Sequence, residues 1–322
     1  MTAIAILDDY QRVALTMADW SGLRAAHEVV VFDRPFASEA AVADALAGFD
    51  VVTIMRERTP FSRMLFARLP KLRLLVTTGL RNAAIDMAAA AEHGVVVCGT
   101  DGPGHATAEL AFGMIIALSR HLVVEAQAMR EGRWQTTVGR DLRGRTLGLL
   151  GLGRLGSQMA GFAQAFGMPV IAWSENLTLE AAAKHGARRV DKDDLFRRAD
   201  VLSIHTKLSA RTTGLVGARE LGLMKPDALL INTSRGPIVD ETALLAALHG
   251  GHIGGAANDV YGTEPLPASH PLRTAPRTLL TPHIGYVTAE TYRQFYGGTV
   301  AAIEAWLTGN PINVLPVTAQ TA

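Results

Sequence analysis

The chain has 322 residues, with 31 Lys and Arg against 30 Asp and Glu, a net charge of +1 and one cysteine, Cys98. The length favours two domains over one, the balanced charge offers no electrostatic handle for nucleic acid or an anionic membrane, and a lone cysteine excludes an internal disulfide and fits a reducing compartment. Apolar residues at 48% can build cores, no run reaches the roughly 18 apolar residues of a membrane span, and Asp8 and Asp9 stand where a secretory leader needs an apolar centre, so a cytoplasmic protein is expected.

In chain order, residues 3–7 (AIAIL), 50–55 (DVVTIM), 72–77 (LRLLVT) and 95–98 (VVVC) read as short buried strands. Alanine-rich stretches at 38–47 and 83–92 read as the helices between them, which implies a parallel sheet covered on both faces. The Gly- and Pro-dense GTDGPGHA (99–106) marks a boundary. A long apolar helix is expected over 107–129, with a face wide enough to pack between domains or subunits. The alternation restarts at strand 146–150, followed by a helix to about 166 and strands at 169–173, 201–206, 228–233, 253–259 and 278–281. Asp240 is placed to cap a helix that Gly250 or Gly251 stops, and a last helix falls near 288–308.

The restart carries LGLLGLGRLGSQ (147–158), a strand leading through Gly151, Gly153 and Gly156 into a helix. That context is what a dinucleotide-binding loop requires: a tight turn at the first glycine, close backbone approach to the pyrophosphate at the second, helix against strand at the third, and a helix N-terminus for the phosphates. The acidic residue that binds ribose hydroxyls should end the next strand, but Ser174 occupies that place and Glu175 follows it. With no arginine there, and with Glu175 disfavouring a 2′-phosphate, the charge pattern leans to NAD while leaving NADP open.

Three later stretches, LLINTSRGPIVDETALLAAL (229–248), AANDVYGTEPLP (256–267) and LLTPHIGYVT (279–288), join the glycine loop in one pattern. Together they resemble the D-isomer-specific 2-hydroxyacid dehydrogenase family, which includes phosphoglycerate dehydrogenases and glyoxylate/hydroxypyruvate reductases. TTGLRNAAID (77–86) and ATAEL (106–110) extend the resemblance into the first half. It implies two doubly wound parallel-sheet α/β domains, a Rossmann NAD(P)-binding domain (101–287) inserted into a flavodoxin-like substrate domain (1–100 plus 288–322). The insertion accounts for the central position of the glycine loop.

The resemblance further implies Arg235, Glu264 and His283 as catalytic residues of a 2-oxo acid reductase. Arg235 would offer a fork of donors to the substrate carboxylate, His283 would exchange a proton with the substrate oxygen, and Glu264 would hold one ring nitrogen and favour the imidazolium. Arg154 and Leu155 open the helix under the pyrophosphate; Thr206, Thr233 and Asp259 match cofactor-lining positions, as do Thr78 and Thr107. Leu80 and Arg81 match a loop that binds the substrate carboxylate, with Arg56 on a second substrate-side loop. Arg81 stands where relatives often carry Asp and would suit a second anionic group; Lys207 replaces a common proline near the ribose end; Asn258 replaces an apolar residue. Glu264 argues against the formate dehydrogenase branch, which has glutamine there. The alternative within the fold is an NAD-sensing corepressor with negligible turnover. A homodimer acting on a small 2-oxo or 2-hydroxy acid is expected. The pair His249 and His252 lacks further ligands, so no metal is expected.

Overall fold

The computed structural model describes residues 1–317, and the end of the expected 288–322 segment lies outside them. The chain divides into two units, one from Met1–Pro103 with the chain from Val287 onward, the other Gly104–Tyr286. The first contains β1 (Ala3–Ile6), α1 (Ala14–Met17), α2 (Ser21–Ala26), β2 (Glu28–Val31), α3 (Glu39–Leu46), β3 (Val51–Ile54), α4 (Arg63–Ala67), β4 (Leu74–Thr77), α5 (Met87–Glu92) and β5 (Val96–Gly99). The second contains α6 (Ala106–Ser119), α7 (Leu122–Arg130), β6 (Leu147–Leu150), α8 (Arg154–Ala165), β7 (Val170–Trp173), α9 (Leu179–Ala183), β8 (Arg188–Arg189), α10 (Lys192–Arg198), β9 (Val201–Ile204), α11 (Ala218–Leu223), β10 (Leu229–Asn232), α12 (Glu241–His249), β11 (Gly255–Asn258) and β12 (Thr278–Leu280). The last helix, α13 (Ala289–Leu307), returns to the first unit and packs on β4 and β5.

Unit 1 is a five-stranded parallel sheet in the order β2-β1-β3-β4-β5. Its strands are apolar at successive positions because helices cover both faces, as Leu74, Leu75 and Val76 illustrate, each without exposed surface. Side chains of Ser38, Ser62 and Asp86 cap α3, α4 and α5, accepting from the amides of Ala41, Leu65 and Ala89. The outer edge of β5 is closed by the C-terminal stretch: Val314 bridges Cys98 and the Leu315 amide donates to Val97 O at 2.8 Å. A covered edge cannot template pairing with other chains.

Unit 2 is a seven-stranded parallel sheet in the order β12-β11-β10-β9-β6-β7-β8. The two-residue period of its strands divides the core. Leu150, Leu202, Leu230 and Ala256 face one helical layer, and Leu149, Val201, Ile231 and Ala257 face the other. Asp240 caps α12 as its sequence predicts, accepting from the Ala243 amide, and Gly251 turns left-handed (φ 68°) beyond it.

The helix expected over 107–129 is two helices. His121 adopts a left-handed conformation (φ 50°) between α6 and α7, and the two axes bend by 63°. Residues 119–122 (SRHL) hold neither glycine nor proline, so nothing local announces the break. Among the described residues no single helix is long and apolar enough to cross a membrane. Two strands were absent from the sequence reading: β2, a four-residue EVVV, and β8, only two residues long.

Candidate active site

The glycine loop turns at the end of β6. Gly151 is left-handed (φ 102°), and a Cβ there would stand 2.8 Å from the His205 carbonyl. At Gly156 a Cβ would fall 2.3 Å from Gly151 O, so helix and strand approach as closely as they do only because that side chain is missing. Gly153 is different: it is exposed and nothing stands within 4 Å of its missing Cβ. It is also the N-cap of α8 and contributes no side chain to the helix amides. Open space over a helix N-terminus fits a pyrophosphate. Arg154 is exposed and its guanidinium lies against Gly104, while Leu155 is half-buried. Ser174 is half-buried just past β7, followed by the exposed Glu175.

Further along the same carboxyl edge, the Thr206 carbonyl accepts from Ser234 Oγ. Thr233 Oγ1 is enclosed and has no hydrogen-bond partner among the described residues, as an atom reserved for a ligand would be. Thr107 Oγ1 donates to Gly285 O at 3.0 Å.

Arg235, Glu264 and His283 follow β10, β11 and β12, three neighbouring strands, so the topology carries all three to one edge of the sheet. His283 Nδ1 lies 2.5 Å from Glu264 Oε2, and the other Glu264 oxygen accepts the Tyr261 amide at 2.8 Å. With Nδ1 engaged, Nε2 is the nitrogen left for a reacting oxygen. His283 is itself left-handed (φ 53°), a conformation costing a non-glycine residue roughly 1–2 kcal/mol. The backbone is held there from both sides by Asp259. Asp259 Oδ1 accepts from Thr281 Oγ1 at 2.5 Å and the Ile284 amide at 2.8 Å, and Oδ2 from the Gly285 amide at 2.8 Å. Burial raises the Asp259 carboxyl above its ordinary range, while the Thr281 hydroxyl, the Ile284 and Gly285 amides and the nearby His283 charge pull it back.

Arg235 sits half-buried with Nη1 donating to Ser234 O at 2.7 Å, and Asn232 Nδ2 donates to Arg235 O at 3.0 Å. The next residue couples this loop to that of Glu264: a Cβ on Gly236 would lie 2.0 Å from the Tyr261 carbonyl carbon.

Residues 112–285 match the family model described as D-isomer specific 2-hydroxyacid dehydrogenase, NAD binding domain. The chain belongs to the D-isomer specific 2-hydroxyacid dehydrogenase family. The matched domain makes NAD its cofactor, and the open cradle at Gly153 fits that assignment. The chain is 38% identical over 264 residues to a glyoxylate reductase of Aeropyrum pernix, covering 79% of this chain and 77% of that protein. It is 37% identical over 256 residues to a D-3-phosphoglycerate dehydrogenase of Synechocystis, covering 79% of this chain but 46% of that protein, so it spans about half the length of such relatives. The crystal structure of a phosphoglycerate oxidoreductase from Vibrio cholerae superposes with a TM-score of 0.91 at 36% identity, covering 96% of this chain and 100% of that one.

The remaining expected residues lie in unit 1. Thr78 is buried, and its hydroxyl accepts the Arg56 amide at 2.9 Å and meets Met55 Sδ at 3.2 Å. Arg56 is left-handed (φ 55°) and half-buried, with Nη1 donating to Thr78 O. Leu80 is 50% exposed and Arg81 is exposed beside it. Sequence reasoning missed His205 and Gly236. His205 lies beneath the glycine loop with Ser203 Oγ 2.8 Å from Nε2, and Nδ1 is enclosed without a partner. Burial pushes this imidazole down to about 4. The glycine of SRGP was legible as part of a motif, but its contact with Tyr261 joins residues far apart in sequence. Among the described residues no group of three or more His, Cys, Asp or Glu is arranged to hold a metal.

Proposed function

We propose that the protein reduces small 2-oxo acids to D-2-hydroxy acids, with NADH preferred over NADPH. The observation that carries this reading is the 2.5 Å pairing of His283 Nδ1 with Glu264 on the sheet edge that also bears Arg235. Bound NADH supplies a hydride to the carbonyl carbon. The chain's own residues do the rest. Arg235 binds the substrate carboxylate through a planar donor fork. His283 delivers a proton from Nε2 to the carbonyl oxygen and retrieves it in the reverse direction. Glu264 fixes the ring and stabilises the imidazolium, and Asp259 fixes the backbone that carries it. Gly151, Gly153, Arg154, Leu155 and Gly156 hold the pyrophosphate, with Thr206 and Thr233 lining the cofactor and Asp259 toward its nicotinamide end. Exposed Glu175 disfavours a 2′-phosphate. Unit 1 meets the substrate through Arg56, Leu80 and Arg81.

The proposed assembly is a homodimer. Leu122, Val123 and Val124 on α7 are 51%, 58% and 50% exposed, with Trp134 and Val138 beyond them at 72% and 93%. Val123, Val124 and Val138 also line a cavity of about 420 Å³, together with Leu118 and Leu279. An apolar patch of this kind on one copy can cover the same patch on another.

Steady-state oxidation of NADH and NADPH with glyoxylate, pyruvate, hydroxypyruvate and a branched 2-oxo acid tests the reading. Turnover with at least one is expected. His283→Ala and Arg235→Ala should each lose at least about a hundredfold in rate while still binding NADH. Near-normal turnover in either variant overturns the assigned roles.

A further inference from the structure

Tyr261 follows β11 in unit 2, between Asp259 and Glu264, and one atom of its side chain exceeds what packing needs. The ring is 7% exposed and belongs to the core that contains Leu230, Ala256 and Leu272, where a phenylalanine ring would fill the same space. The phenol oxygen instead enters the gap where the β11–β12 ladder ends. The last strand pair is Asn258 with Leu280, and the Thr281 amide extends the ladder to Asn258 O at 3.0 Å. There the Tyr261 hydroxyl lies 3.0 Å from Asn258 O and 2.9 Å from Thr281 O, one hydrogen shared between two carbonyls. The Thr281 carbonyl also accepts the His283 amide at 3.1 Å.

The same residue touches the stretches that carry all three expected catalytic groups. Its amide donates to Glu264 Oε1 at 2.8 Å, and its carbonyl lies against Gly236, the neighbour of Arg235. Its phenol reaches the carbonyl that orients the His283 amide. The left-handed backbone at His283 is thus gripped on two sides. Asp259 takes the Thr281 hydroxyl and the Ile284 and Gly285 amides, and the phenol takes the Thr281 carbonyl. Burial, with the Asp259 and Glu264 carboxylates nearby, raises the phenol, so it remains a donor across the range in which an imidazole titrates.

We infer that the Tyr261 hydroxyl is a positioning group for the general acid, clamping the ends of β11 and β12 so that His283 stays paired with Glu264. The inference rests on the roles proposed above for those two residues. A ring that drifts from Glu264 loses the carboxylate that favours the imidazolium. Reduction consumes the imidazolium proton, so the loss falls first on the alkaline side of the rate profile.

The test is Tyr261→Phe, which removes one oxygen and keeps the ring. With the fastest 2-oxo acid of the steady-state panel, kcat/KM for reduction at pH 7 should fall at least about threefold through misplacement of the acid. The alkaline limb of the profile should move to lower pH, while NADH affinity and melting temperature stay close to those of the wild type. In a Glu264→Gln background the same substitution should cost less than about twofold, because the pairing it acts through is already lost. Replacing Tyr261 by 4-aminophenylalanine, which returns a donor to the same place, should restore the profile. An unmoved alkaline limb, equal losses in the two backgrounds, or no rescue by the amine would each overturn the inference. Hydrogen exchange supplies a readout without turnover: the His283 amide should exchange faster in Tyr261→Phe, and an unchanged rate would count against the clamp. A wild type that reduces no 2-oxo acid would remove the reductase reading, and faster exchange at His283 would then still support the clamp.

Discussion

Acid should weaken this protein through one imidazole beneath the glycine loop. In the unfolded chain His205 titrates at the ordinary 6.5, whereas in the folded protein burial pushes it down to about 4. Between those values the unfolded chain holds a proton that the folded protein does not. The stability contributed is therefore complete above pH 6.5 and is lost as the pH falls toward 4. At roughly 1.4 kcal/mol per pH unit, a fully enclosed ring gives up about 2 kcal/mol between pH 7 and pH 5. Part of the residue's surface reaches solvent although Nδ1 is enclosed, which trims the loss to about 1–2 kcal/mol. Other buried acids also titrate in this range, so the informative quantity is a difference. His205→Gln keeps a donor for Ser203 Oγ and removes the titration. Urea unfolding of both proteins at pH 7 and pH 5, without cofactor so that ligand binding does not add stability, should show the wild type losing about 1–2 kcal/mol more than the variant. Parallel losses in the two proteins would refute the argument.

Three other outcomes follow from the site. Gly153→Val places a side chain in open space over the helix N-terminus, so NADH affinity should fall at least about tenfold with little change in melting temperature; unchanged affinity would mean the cradle is not the pyrophosphate site. Gly236→Ala drives a methyl group into the Tyr261 carbonyl and separates the Arg235 and Glu264 loops. It should lower kcat/KM by about tenfold or more while NADH binding persists, and a neutral result would deny that the two loops are coupled. Asp259→Asn replaces an acceptor that takes the Ile284 and Gly285 amides with one oxygen and a donor, so turnover should drop and the profile of rate against pH should shift with the displaced His283; an unaltered profile would exclude Asp259 from positioning that ring.

What the sequence could and could not reveal divides along a physical line. Most sheet strands were legible because a parallel strand buried on both faces needs a mainly apolar run, and LGLL, VLSI and LLIN are such runs. The loop glycines were legible because their spacing reflects backbone geometry local to one turn. The expected catalytic residues could be named because NTSRG, GTEPLP and TPHIG resemble motifs of the family, and what the sequence alone did not show is that these stretches follow three neighbouring strands, β10, β11 and β12. The break at His121 escaped because a left-handed residue other than glycine is imposed by packing, and no local residue signals it.

Asp8 shows the same limit more sharply. In the sequence, DDYQ is a polar tetrapeptide after a strand, of use mainly for arguing against a leader. In the fold its first carboxylate is enclosed by Thr59, Tyr10 and Arg58, residues brought in from the end of β3 and from its own loop. What a carboxylate does depends on whether it is paired and whether water reaches it, and only the fold decides either. The guanidiniums of Arg56 and Arg58, which MRER shows only as two basic residues in a polar loop, are likewise engaged by partners within unit 1.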